Sequence, residues 1–202
     1  MGITTSWKKI LVDTTVIVKV ISYKKYGKEI NEFANKLMEY LADTEAQITD
    51  KKTEKRQIYV SSISIAEIID SSQPNGVNKT KLIVQALNAD NIEIVDFDED
   101  VADLYNIEFI DKLGVNYQKD SLSKWGELNS KVNREILTKD LMILGCALYK
   151  KVDVVLCFDK GMYRIGRECG INMVYIEPKY FNHNDSYIFE FYTGVCDKEL
   201  KV

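Results

Sequence analysis

The 202-residue sequence has one histidine, two prolines and no two cysteines close enough together to share a metal. The lone His183 leaves no histidine-based metal site and no His–His acid–base pair. Cys146, Cys157, Cys169 and Cys196 form no C-x-x-C pair, a spacing poor for zinc, and they read as reduced, buried, small apolar residues. Two prolines and ten glycines argue against long disordered linkers. No apolar run approaches the ~20 residues needed to cross a bilayer. Residues 1–9 lack a signal peptide's apolar core, so the expectation is a soluble cytoplasmic protein with no membrane partner. Basic charge is not in excess either: 27 Lys and Arg against 31 Asp and Glu give −4. Binding to nucleic acid would therefore need a local basic patch or metal ions.

What is present begins with Ile10-Leu11-Val12-Asp13-Thr14-Thr15. A continuous apolar run ending in an acid reads as a buried parallel strand with a carboxylate at its carboxyl end. That is the edge where open α/β sheets bind ligands. Thr14 or Thr15 is expected to cap the following helix, which reads from Thr14 to Tyr23. The plainer alternative makes Asp13 itself a helix cap.

The remaining chain repeats the theme. Glu29 to Ala42 has helical apolar spacing, with Ile30, Phe33, Ala34, Leu37, Met38 and Leu41 on one face. Asp50 to Arg56 reads as a charged, solvated loop. Ile58 to Ser62 reads as a second strand, followed by a helix capped by Ser62 or Ser64. Glu67 is placed in that helix's first turn, as a capping-box acid or as a second carboxylate at the sheet's mouth. A turn at Pro74-Asn75-Gly76 precedes a short helix over Lys79 to Ala89. Ile92 to Val95 reads as a third strand, and Asp96, Asp98, Glu99 and Asp100 as cap and first-turn charges for a helix over Val101 to Leu113. Gly114 to Asn129 has no clear period and reads as a loop that could cover the mouth. Ile136 to Lys151 reads as a helix with Asp140 near its start. The strand Val152 to Cys157 again runs into an acid, Asp159, and a short helix and a last strand over Asn172 to Ile176 follow.

Strands alternating with helices call for a three-layer α/β/α arrangement around a central, mostly parallel sheet. Right-handed crossovers place every strand's carboxyl end on one edge. Asp13, Glu67 and Asp159 should meet there, and Asp140 should reach it from a helix N-terminus. Residues 1–177 form the expected domain. Residues 178–202, rich in Tyr and Phe, read as an extension packed on it, or as a homodimer or partner contact. Four carboxylates in one pit repel one another, more so when buried, unless some hold protons or a cation is present. Mg²⁺ or Mn²⁺ suits an all-oxygen set and can activate water.

Val12-Asp13-Thr14-Thr15-Val16, the stretch Val60 to Ile68, the stretch Asp140 to Leu148 and the stretch Leu156 to Met162 occur in the order seen in PIN-domain nucleases. The chain resembles that family over roughly residues 8 to 177, and within it the VapC-type toxins. The resemblance implies a Mg²⁺- or Mn²⁺-dependent endoribonuclease, with Asp13, Glu67, Asp140 and Asp159 as catalytic, metal-binding acids. It also implies RNA as substrate and, for a toxin, an antitoxin protein as partner; an RNA-processing enzyme is the other role considered. Many relatives carry Asn at Thr15 and Thr or Ser at Cys157. Basic residues that could meet RNA are Lys19, Lys24, Lys25, Lys160 and Arg164, all equally readable as surface charge. Two other classes stay open: a catalytically inactive PIN-like binding or scaffold module, and a haloacid-dehalogenase-type phosphatase. The phosphatase wants an acid where Thr15 stands.

Overall fold

In the five short strands among the described residues, alternate side chains point to opposite faces, and in the central ones both faces are apolar. A computed structural model describes residues 7–21, 28–42, 56–70, 87, 89–117, 119–120 and 134–176. The expected C-terminal extension, the turn at Pro74, most of the helix over 79–89, most of the loop over 50–56 and the second half of the unperiodic stretch lie outside these residues.

The strands are β1 (Lys9–Val12), β2 (Gln57–Ser61), β3 (Ile92–Val95), β4 (Val154–Cys157) and β5 (Met173–Tyr175). Every pairing is parallel, in the order β3-β2-β1-β4-β5. Ile10 of β1 lies level with Ile58 on one side and Val154 on the other. Helices α1 (Thr14–Ile21), α2 (Lys28–Ala42) and α3 (Ser62–Asp70) follow β1 and β2. Helices α4 (Glu99–Leu113) and α5 (Arg134–Lys150) link β3 to β4, and α6 (Lys160–Glu168) links β4 to β5.

Ile10, Val12, Ile58, Val60, Val154 and Leu156 pack with Val16 and Ile17 of α1, Phe33 and Leu37 of α2 and Ile68 of α3. Leu11, Tyr59, Val155 and Cys157 face the other way, onto Val101 and Phe109 of α4, the apolar side of α5, and Met162 and Ile165 of α6. Each fully buried Leu, Ile or Val contributes roughly 1.5–3 kcal/mol against exposure, so two apolar faces make the central strands the most firmly held part of the fold. The expected α/β/α layering is present, and the sheet is parallel throughout its described strands.

The order reverses beside β1: β2 lies to one side of it and β4 to the other. Helices cover opposite faces on the two sides of that reversal, leaving a crevice beyond the carboxyl ends of β1 and β4. Among the described residues no helix is long and apolar enough to cross a membrane. Cys146, Cys157 and Cys169 are free and buried, as expected; Cys196 lies outside the described residues.

At α1 the alternative reading of Asp13 as the cap holds, and at α3 the expected cap is corrected. Asp13, not Thr14 or Thr15, caps α1: its carbonyl accepts from the Val16 N–H at 3.0 Å and its carboxylate from the Thr15 N–H at 3.0 Å. Ser61, not Ser62 or Ser64, caps α3 by accepting from the Ile63 N–H at 3.2 Å. The Ser62 hydroxyl instead accepts from the Phe97 N–H at 3.3 Å, tying α3 to the chain beyond β3. Three of the four acids after β3 behave as expected, Asp98 accepting from the Val101 N–H at 3.1 Å and Glu99 and Asp100 occupying the first turn of α4, which starts two residues earlier than expected.

Gly166 sets how closely α6 lies on β5. A Cβ there would meet the buried Met173 side chain, with Cγ at 2.7 Å and Sδ nearer still. Gly166→Ala should therefore destabilise the fold by roughly 1–2 kcal/mol, overpacking outweighing the gain in helix propensity. A lower melting temperature with unchanged far-UV circular dichroism is the expected result.

Candidate active site

The crevice at the β1/β4 reversal is lined by acids. Asp13 follows β1 directly and is 2 % exposed. Asp159 follows β4 and caps α6, its Oδ1 accepting from the Met162 N–H at 2.9 Å. Gly161 leaves room for that bond, since a Cβ there would lie 2.9 Å from Asp159 Oδ1. Glu67 comes from α3, which packs against both α1 and α5. Asp140 comes from α5.

Two placements differ from expectation. Glu67 is not in the first turn of α3, which holds no acid, but in the second. It therefore caps nothing, and its Oε2 accepts instead from the Thr14 hydroxyl at 2.6 Å. Asp140 likewise sits in the second turn of α5, whose first turn holds Glu135. In each helix the acid lies beyond the first turn, too far along to cap its own helix.

Asp13, Glu67, Asp140 and Asp159 stand near enough for their charges to act on one another. Burial pushes the Asp13 carboxyl up to about 6; the Thr15 hydroxyl and amide pull against this, and the charges of Asp159 and Glu67 add to it. Asp140 is pushed well above the ordinary carboxylate range, first by burial and then by Asp13, Asp159 and Glu67. Asp140 as a residue is half-buried, but its carboxyl is enclosed by protein, and the enclosed carboxyl is what desolvation acts on. Cys157, also buried, is held as a neutral thiol by burial and by Asp13, Asp159 and Asp140. Its Sγ points to the Asp159 carbonyl at 3.4 Å, so it supports the turn rather than offering a thiolate.

Thr15 was expected only as a cap, yet it joins two strands. Its hydroxyl donates to Asp13 Oδ2 and accepts from the Phe158 N–H at 2.9 Å. One side chain thus fixes the acid after β1 and the backbone after β4. Thr15→Val keeps the shape and removes both bonds. The expected result is a loss of about 1–3 kcal/mol in denaturant unfolding, because the Phe158 N–H is left unpaired. The Asp13 carboxyl should also titrate above about 6 by NMR, since the Thr15 hydroxyl is what lowers it.

Sequence reasoning also passed over Lys139. Its ammonium pairs with Glu135 at 2.8 Å and also feels Glu67 and Asp70. A lysine adjoining a pit acid, four residues beyond a glutamate on the same helix, was the available signal. Among the basic residues named for RNA, Lys19 lies over the Phe158 ring at 4.3 Å, beside Asp159. Lys160 lies over Tyr175 at 5.5 Å, and Arg164 is half-buried on α6. Lys24 and Lys25 lie outside the described residues.

The donor set is all carboxylate, and two members have their carboxyls pushed up by burial and by neighbouring acids, a cost that a hard divalent cation relieves. Among the described residues no three such groups already stand as a ready ligand cluster. Hydrogen bonds from Thr15, Thr14 and the Met162 N–H occupy oxygens of Asp13, Glu67 and Asp159. A cation would bind the remaining lone pairs, or draw the carboxylates inward.

The family model described as PIN domain matches residues 10–168. Comparison with curated proteins gives no significant match. Among solved structures the chain is similar to VapBC2 from Rickettsia felis bound to a promoter DNA fragment, at 14% identity and TM-score 0.47, covering 82% of this chain and 96% of that one. It is similar to FitAcB from Neisseria gonorrhoeae at 17% identity and TM-score 0.44, covering 81% and 95%. It is also similar to DNA-bound VapBC from Salmonella typhimurium at 19% identity and TM-score 0.42, covering 82% and 96%.

Proposed function

Because the chain belongs to the PIN domain family, whose members are generally nucleases, we propose that it is a divalent-metal-dependent endoribonuclease hydrolysing RNA phosphodiester bonds. The observation that supports this reading is the convergence of four acids from four different elements on the crevice where the strand order reverses, with Asp13 and Asp140 pushed up first by burial and then by the neighbouring acids. A cluster so costly in repulsion is hard to account for as scaffold alone.

Asp13, Glu67, Asp140 and Asp159 would hold Mg²⁺ or Mn²⁺. When bound, the ion supplies a water acidic enough to act near neutral pH and offsets the negative charge of pit and substrate. The chain's own residues do the positioning. Thr15 orients Asp13, Thr14 orients Glu67, and the Met162 N–H orients Asp159. Asp140, pushed well above the ordinary carboxylate range first by burial, would lose its proton more readily once positive charge enters. Lys19, over the Phe158 ring, would add a positive group for the substrate's phosphate.

The test is incubation of the full chain with end-labelled single-stranded RNA, with Mg²⁺, with Mn²⁺ and with EDTA. Cleavage that needs the ion and disappears in Asp140→Asn supports the reading. An ion bound with no RNA cut would overturn it in favour of the inactive binding module, and turnover of a small phosphate ester alone would favour a phosphatase. For the cellular role we extend the proposal to a cytoplasmic toxin held by an antitoxin protein, on the motif resemblance. Growth arrest on expression, abolished by Asp13→Asn, is the expected outcome; cleavage without arrest would point to RNA processing instead.

A further inference from the structure

A second cleft lies at the opposite end of the same elements, between the sheet and the α4–α5 pair. It is an open cavity of about 740 Å³, within the range of small-ligand sites. Lys9, Tyr59, Glu108, Tyr149, Lys150 and Lys151 contribute to its lining. Lys9 is at the amino end of β1, about 13 Å along the strand from Asp13. Lys150 is ten residues along α5 from Asp140, about 15 Å.

The charges in the cleft do not cancel. Lys150 pairs with Glu93 at 2.7 Å, and its ammonium sits 5.7 Å from the Tyr59 ring and 5.4 Å from the Tyr149 ring. Glu108 is engaged by Lys112 at 2.7 Å. The nearby Asp153 carboxylate is turned to the backbone N–H groups of Lys8 and Lys9, at 2.7 and 2.8 Å. Glu93 and Glu108 are thus each paired with a lysine, Asp153 accepts from two backbone N–H groups, and Lys9 and Lys151 remain exposed with no acid partner among the described residues.

Lys151 is also held in a disfavoured backbone state. It is the residue just past α5, with φ 51, and among the described residues no other non-glycine has positive φ. Glycine is the ordinary choice there. A lysine at that position keeps an ammonium at the cleft. Beside it Tyr149, 38% exposed, offers a ring face. Positive charge next to an exposed aromatic face is the chemistry that recognises a phosphate joined to a base, since every base stacks and every phosphate pairs.

We propose that the cleft between Lys9, Tyr149 and Lys151 binds a nucleotide unit, its phosphate on the two lysines and its base on Tyr149. The unit comes either from a free mononucleotide or from the flank of an RNA strand. The site stands whether or not the acidic pit cuts RNA, because the test reads binding in EDTA.

The full chain is titrated with AMP and with inorganic phosphate, followed by amide NMR, and with a labelled single-stranded RNA, followed by anisotropy. Lys9→Gln and Lys151→Gly are compared with the unaltered protein. Glycine suits the positive φ, so Lys151→Gly should fold at least as well. AMP should shift the amides around Lys9 and Lys151, bind at least about tenfold more tightly than phosphate, and lose at least about tenfold in the double variant. Tyr149→Ala should weaken AMP and leave phosphate unchanged. Loss of AMP binding in the double variant assigns the free nucleotide. Loss confined to RNA, with a shallower salt dependence, assigns the strand flank. Unchanged affinity for both ligands in the double variant, or phosphate binding as tightly as AMP, overturns the site.

Discussion

Asp13→Asn should abolish RNA cleavage while leaving the fold as stable as before or more so. The loss in rate is expected at about three orders of magnitude, within the range for removing one positioned acid–base group. The gain in stability follows from the sign of the Asp13 shift. Its carboxyl ionises at about 6 in the fold and near its ordinary 3.8 when unfolded. The native state therefore binds the proton more tightly, and stability falls as pH rises from about 4 through about 6. Above that window the ionised, buried carboxylate costs on the order of 3 kcal/mol. Asparagine is uncharged and keeps an oxygen for the Thr15 N–H, so the cost disappears. Thermal melts in EDTA at pH 8 should show the variant higher by several degrees, the scale for about 3 kcal/mol in a chain of this size. At pH 4 the two proteins should melt together. A marked destabilisation at pH 8 would instead make Asp13 a structural cap and nothing more, since it does cap α1.

Adding Mn²⁺ should raise the melting temperature strongly at pH 8 and hardly at all at pH 5. At pH 8 the Asp13 carboxyl is ionised and open to the ion. At pH 5 both carboxyls hold protons, because Asp13 ionises only near 6 and Asp140 is pushed well above the ordinary range. An ion must then displace them, and each displaced proton lowers its affinity about tenfold per pH unit. At a concentration a hundred times the dissociation constant, the stabilisation is about 2.7 kcal/mol. Asp140→Asn should remove most of it. A Mn²⁺ effect equal at the two pH values, or untouched by that variant, would place the ion elsewhere on the protein. Differential scanning fluorimetry at the two pH values decides the matter without any cleavage assay, so it separates metal binding from catalysis.

Much of this architecture could be read in one dimension. The apolar runs ahead of Asp13 and Asp159 placed two acids at strand ends, and the structure keeps Asp13 directly after β1 and Asp159 one residue beyond the end of β4. The 3.6-residue spacing of Phe33, Leu37 and Leu41 gave α2, and those residues are buried. The acids after β3 were legible as helix charges because a cap acts within a single turn. Glu67 and Asp140 were read less well. Their helices were expected to start nearer the acids, and a shift of a few residues along a helix turns a cap into a side chain facing the neighbouring helix. Thr15 was misread for a related reason: its second partner, the Phe158 N–H, lies far along the chain.

The sequence by itself determined the alternation of strand and helix, the two-sided apolar sheet and the acids at the strand ends, because those features depend on neighbours a few residues apart. Only the tertiary structure decided that β4 lies beside β1, which closes the crevice through Thr15 and brings Asp140 up to Asp13. It alone brought Lys9 and Lys151 to one cleft. Such meetings depend on which strands pair, and pairing is settled by the burial of both sheet faces together rather than by any single segment.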